Sequence, residues 1–219
     1  NHDKALDDFE KALTFDTNDA WAYASRGETY RAIGRHKDAL VDYTRALELD
    51  PGLSWVRASR GESHRLLRDY EAALADFDQV LQQDPDDAWV IGSRGQVYQE
   101  LERYAEALAD YTRALELDPG LNWVRVARGV IHHVLRDYEA ALADFDQVLQ
   151  QDPDDAWVIG SRGRVYQELE RYTEALADYT RALELDPGLS WVRASRGESH
   201  RLLRDYEAAL ADFDQVLQQ

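Results

Sequence analysis

The sequence predicts an all-α chain, an α-solenoid built from paired helices, and three observations carry that reading. A set of residues recurs at a fixed period of 34. Each period contains two stretches whose apolar residues fall at helical spacing. A proline column separates one period from the next. A fixed period of this size signals a stacked array of supersecondary units rather than one compact domain.

The repeat is legible in single columns. All six tryptophans lie on one series, Trp21, Trp55, Trp89, Trp123, Trp157 and Trp191. The same step links Gly27, Gly61, Gly95, Gly129, Gly163 and Gly197, and Ala39, Ala73, Ala107, Ala141, Ala175 and Ala209. An aromatic column runs Tyr43, Phe77, Tyr111, Phe145, Tyr179, Phe213. Pro51, Pro85, Pro119, Pro153 and Pro187 form the boundary column, with Thr17 in the remaining slot. Six full repeats follow, at 16–49, 50–83, 84–117, 118–151, 152–185 and 186–219, and residues 1–15 match the second half of a seventh.

Within one repeat the first helix is expected over 54–67, with Trp55, Ala58, Ser59, Glu62 and Leu66 near one face. The second is expected over 70–83, where Tyr70, Ala73, Leu74, Phe77, Val80 and Leu81 make an apolar stripe. Asp69 is placed to cap that helix through its side-chain oxygen. Asp84-Pro85 ends it, because proline disfavours a helical residue before it and has no N–H to donate. Gly61 sits in mid-helix at a cost of about 1 kcal/mol relative to alanine. Its recurrence in every repeat implies helices too close for a side chain.

Composition narrows the function. Charge stands at −18 from 25 Lys plus Arg against 43 Asp plus Glu, which disfavours nucleic acid as a partner, since phosphate binding needs a basic face. No apolar run is long enough to span a membrane. With no cysteine there are no disulfides, thiolate metal sites or cysteine nucleophiles, and a cytoplasmic setting is expected. The chain starts at Asn1 and has no methionine, so it reads as an excerpt of a longer protein. Arginine outnumbers lysine 22 to 3, as a GC-rich bacterial genome favours.

No enzymatic motif survives inspection. The strings at Gly92–Gly95 and Gly160–Gly163 lack the spacing of a nucleophile elbow, and no phosphate loop occurs. Asp84, Asp86 and Asp87 lack the glycine and distal glutamate of a calcium loop. His64, His132 and His200 stand where Tyr30, Tyr98 and Tyr166 stand in the other repeats, so they read as packing residues. His132 and His133 are adjacent, about 100° apart on a helix, whereas metal pairs want i, i+4 spacing. No catalytic residue, cofactor or metal is expected.

The columns resemble the tetratricopeptide repeat, as in Gly95, Ala107, Tyr111, Ala114 and Pro119, over essentially the whole chain. That resemblance implies antiparallel helix pairs stacked into a right-handed superhelix. Its first helices line a concave groove that usually holds a peptide or partner segment. Arginine precedes the glycine in every repeat (Arg26, Arg60, Arg94, Arg128, Arg162, Arg196), where many members carry an apolar residue; the Arg-Gly pair is common in bacterial versions. An aspartate column (Asp42, Asp76, Asp110, Asp144, Asp178, Asp212) is as invariant, and the two are expected to form interhelical ion pairs, since buried arginine needs a partner. The lysine and asparagine of members that hold the C-terminal carboxylate of chaperones are missing: the matching places carry Trp55, Ala58, Ser59 and Glu62. Chaperone tails are therefore not expected as partners.

A second period of 68 localises the candidate site. Residues 186–219 repeat 50–83 exactly, whereas 118–185 differ from 50–117 at nine places. Eight of the nine fall on first helices: Asn122, Val126, Ala127, Val130, Ile131, His133, Val134 and Arg164; the ninth is Thr173. Changing first helices while copying second helices is what altering a groove on a kept scaffold produces. Trp123, Val126, Val130 and Val134 form an apolar patch with His133 and Arg164 as a polar rim, the anatomy of a binding hot spot. Apolar residues at this spacing also serve plain packing, and both readings stand at this point. The tryptophans either line the groove, with Trp89, Trp123 and Trp157 at its centre, or wedge between repeats; six exposed rings would invite aggregation, which favours the wedge. Arg57, Arg60, Arg65 and Arg68 make the first helices basic, so the acidity is expected on the outer, second helices. The function expected is a non-catalytic protein-interaction module. The alternative is an array that self-associates end to end through uncapped helices such as 206–219.

Overall fold

The computed structural model describes residues 2–218. Among them are thirteen α-helices and no strand. They divide into two compact units, one running to Pro119 and one from Gly120 on.

The first unit contains α1 (His2–Phe15), α2 (Ala20–Ala32), α3 (His36–Leu49), α4 (Ser54–Leu66), α5 (Tyr70–Gln83), α6 (Ala88–Glu100) and α7 (Tyr104–Leu117). Hairpins α2–α3, α4–α5 and α6–α7 pack tightly within themselves, and each hairpin rests on the helix before it. Short connections between consecutive helices make these neighbours antiparallel. Ala39, Tyr43, Ala46 and Val56 centre one core, and Ala73, Phe77, Val90 and Val97 the next.

The second unit contains α8 (Asn122–Val134), α9 (Tyr138–Gln151), α10 (Ala156–Glu168), α11 (Tyr172–Leu185), α12 (Ser190–Leu202) and α13 (Tyr206–Leu217). Its hairpins are α8–α9, α10–α11 and α12–α13. One core gathers Ala141, Phe145, Val148, Val158 and Val165; another gathers Ile159, Ala175, Tyr179, Ala182 and Val192.

The helix of 70–83 has the expected limits, and the Asp69 carboxylate accepts from the Ala72 N–H at 3.4 Å. The preceding helix stops at Leu66, one residue short of the expected end. Arg68 takes a left-handed backbone (φ 62°), with its N–H bonded to the Arg65 carbonyl and the Asp69 N–H to the His64 carbonyl. That is a Schellman stop, built on arginine rather than the usual glycine. Gly61 meets the expected neighbour: a Cβ there would lie 3.0 Å from the Phe77 ring.

The six expected ion pairs all form. Each guanidinium reaches its aspartate through Nε and Nη2, at 2.6–2.9 Å. The aspartates are buried, so each pair closes a hairpin from inside.

Candidate functional site

Three successive first helices of the second unit, α8, α10 and α12, bring the candidate residues together. Helix α8 starts without a side-chain cap, after Leu121, and lays Val124 and Ile131 into the core. A turn away, Val126 and Val130 are half-buried against the Phe145 cluster. Ile131, one of the eight first-helix replacements, therefore belongs to packing and not to the groove.

Val130 and His133 on α8, Phe145 on α9, Trp157, Ser161 and Arg164 on α10, and Trp191 on α12 line a cavity of about 300 Å³. The Trp157 and Trp191 ring centroids are 6.4 Å apart and tilted by 60°, a favourable aromatic arrangement. Trp191 can come this close because Gly160 lies beneath it: a Cβ there would sit 2.9 Å from the indole and 2.7 Å from Val192 Cγ2. The Ser161 hydroxyl donates to the Trp157 carbonyl at 2.8 Å, which commits its proton locally.

A shallower cavity of about 430 Å³ adjoins it, lined by Asn122, Trp123, Val126, Val148 and Trp157 among others. Trp157 stands between the two. Val130, His133, Trp157 and Arg164 thus share one cavity, and Trp123, Val126 and Trp157 the other. Val134 faces neither and is 53% exposed. Trp89 belongs to the first unit, on α6, and is exposed there.

The tryptophans depart from a simple wedge. The Trp21 and Trp55 ring centroids lie 5.6 Å apart, tilted by 38°, and Trp157 meets Trp191, so indoles do meet across repeats. Yet Trp21 is 61% exposed, and Trp55, Trp89 and Trp157 also remain open to solvent. Contact with a neighbouring indole leaves Trp21, Trp55 and Trp157 partly exposed.

Electrostatically, the larger share of the rim belongs to Arg164. It is exposed and takes part in no ion pair or hydrogen bond among the described residues. Burial, and then the Arg164 charge, hold His133 below its ordinary value, with Glu168 pulling weakly the other way. At neutral pH the imidazole is uncharged and stands 6.1 Å from the Tyr138 ring. Shape, aromatic faces and one free cation are what the cavity offers.

Phe145, Ser161 and Trp191 were not among the sequence candidates, although Trp191 stood in the tryptophan column. A second omission is the buried guanidinium of Arg57 and Arg193, whose Nη2 donates to the carbonyls of Pro51 and Pro187 at 3.1 and 3.0 Å. Nothing in periodicity distinguishes these from the exposed arginines beside them.

Family profiles described as tetratricopeptide repeat match residues 20–53 and 88–121, 60–87, and 129–202. A search of curated protein sequences finds no match. Among solved structures, a tetratricopeptide repeat protein from Parabacteroides merdae superposes with a TM-score of 0.75 at 20% identity, covering 97% of this chain and 84% of that one. MamA from Desulfovibrio magneticus gives 0.71 at 19% identity over 75% of this chain and 93% of its own. YrrB, a TPR protein with an unusual peptide-binding site, gives 0.66 at 25% identity, over 84% and 95%.

Proposed function

This chain belongs to the tetratricopeptide repeat family, and we propose that it is a non-catalytic interaction module holding a peptide or partner segment against its first helices. The contact residues are Trp123, Val126, Val130, His133, Val134, Trp157 and Arg164 in the second unit; Trp89 is a separate contact residue of the first unit. One observation carries this reading: three of the nine substitutions that distinguish 118–185 from its sister segment, Val130, His133 and Arg164, line one cavity. YrrB, similar in fold, is a protein with a peptide-binding site, which supports a peptide as ligand. We place the module in the cytoplasm, as a bacterial scaffold, with neither nucleic acid nor chaperone tails as partners.

The test is a random dodecapeptide phage library panned in parallel on the immobilised chain and on its Val130→Glu variant. Glutamate is the residue at the sister position Glu62, but His133 stands where Arg65 pairs with it, so circular dichroism of the variant accompanies the panning to show that it is folded. Peptides enriched on the parent and lost on the variant are expected. Equal enrichment on both would remove the cavity from the reading.

End-to-end self-association is a second reading, favoured by α13. Residues 206–219 copy 70–83 exactly, and there Tyr70, Leu74 and Leu81 pack into the core beneath α6. On α13 the matching Tyr206, Leu210 and Leu217 are exposed. Light scattering over a concentration series decides it: growth in mass with concentration is expected, lost in Leu210→Lys, and a constant monomer mass rejects it.

A further inference from the structure

The cavity walled by Trp157 and Trp191 differs from its sister segment in charge as well as in shape. In the first unit the matching positions of Val130, His133 and Arg164 are Glu62, Arg65 and Gln96. There Arg65 is satisfied twice, donating to Glu62 at 2.6 and 2.9 Å and pairing with Glu100. On α12 the same two positions again form an ion pair, Arg201 with Glu198. At these two positions both first helices pair their own charges.

On α8 and α10 the arrangement is opened. The anion is gone at Val130, the cation has become an uncharged imidazole at His133, and a new cation appears at Arg164. Three positions that carry no net charge in one segment carry one positive charge in the other. Glu168, four residues beyond Arg164, accepts from the Tyr138 hydroxyl at 3.4 Å and forms no ion pair with Arg164. A molecule of net charge −18 thus keeps an unpartnered guanidinium beside an apolar recess. At about 300 Å³ the recess has room for a large side chain.

We propose that this cavity takes an acidic peptide motif: one large apolar side chain, aromatic or branched, seated between Val130, Phe145, Trp157 and Trp191, with a neighbouring Asp or Glu pairing to Arg164. The inference rests on the peptide-binding reading above and adds the chemistry of the occupant. The apolar anchor supplies burial. The carboxylate supplies register and selectivity, because an acidic segment laid elsewhere on so acidic a chain is repelled. An aromatic anchor gains further from the tilted indole faces.

The experiment uses synthetic, fluorescein-labelled copies of dodecapeptides selected on the parent chain, each paired with an amide version in which its acidic residue becomes Asn or Gln. Affinities come from fluorescence anisotropy on the parent and on Arg164→Gln, the residue of the sister position. The selected peptides are expected to share a large apolar residue within two positions of an acid. Arg164→Gln is expected to weaken the acidic peptides at least tenfold and their amide versions less than twofold. Equal losses for both versions, or none, overturn the carboxylate pairing while leaving peptide binding in place. Failure of any peptide to bind the parent rejects both readings.

Discussion

Arg162 holds two aspartates from two different hairpins. Its Nε and Nη2 grip Asp178 of α11 at 2.8 and 2.7 Å, while Nη1 reaches Asp146 of α9 at 2.7 Å. Arg94 does the same in the first unit with Asp110 and Asp78. The two contacts differ in worth. Asp178 is buried, so Asp178→Ala leaves a guanidinium without its main partner and is expected to cost roughly 2–4 kcal/mol. Asp146 is half-exposed, and Asp146→Ala is expected to cost no more than about 1 kcal/mol. Urea denaturation of the two variants measures the difference; equal losses would contradict this ranking.

The Schellman stops predict a gain. Arg68, Glu102, Arg136, Glu170 and Arg204 all occupy left-handed backbone, and the first repeat has Gly34 (φ 76°) in that slot. A non-glycine residue there costs on the order of 1–2 kcal/mol, partly offset by glycine's greater freedom in the unfolded chain. Arg136→Gly is therefore expected to raise stability by about 0.5 kcal/mol. A lower urea midpoint would show that the arginine side chain contributes more than the strain it carries.

Gly160 predicts a loss where helix propensity alone predicts a gain. Alanine is favoured over glycine in mid-helix by about 1 kcal/mol. The added Cβ, 2.7 Å from Val192 Cγ2, must push α12 outward or twist Trp191, at about 1–3 kcal/mol. The clash is expected to win, with Gly160→Ala less stable and its tryptophan emission shifted. A variant as stable as the parent, with unaltered emission, would mean that Trp191 yields freely.

His133 gives a pH dependence with a definite sign. Its folded pKa lies below the ordinary 6.5, first from burial and second from Arg164, against the weaker opposing pull of Glu168. The unfolded chain therefore binds the proton more readily. The stability from keeping His133 neutral is present above the ordinary value and is lost as pH falls toward the folded value. In an NMR titration Arg164→Gln is expected to move the His133 midpoint upward. An unmoved midpoint would show that burial alone sets it.

Much of this was legible in columns. Gly61 beneath Phe77 and Arg60 beside Asp76 recur without exception, and a constraint repeated six times leaves an invariant trace. The cavity was legible only in part. Periodicity assigns Val130 and Ile131 to neighbouring positions, but which one enters the core depends on where α9 lies, and Ile131 took the buried place. Trp191 comes from the following first helix, and only three-dimensional packing brings it to Trp157. Arg57 shows the same gap: its buried guanidinium donates to the Pro51 carbonyl, and no spacing rule announces that contact.

The identity of residues 70–83, 138–151 and 206–219 has a kinetic consequence. Helices α6 and α10 differ only at Gln96 and Arg164, so each finds its docking surface at more than one place along the chain. A chain that pairs α6 with α9 reproduces the chemistry of that one interface while looping out α7 and α8, and misassembly of this kind is characteristic of repeat proteins. Refolding is therefore expected to show a concentration-independent slow phase while such chains unthread and search again, and single-exponential refolding would contradict this. Recoding one of the three identical helices with different apolar side chains of equal volume removes the degeneracy, and the slow phase with it.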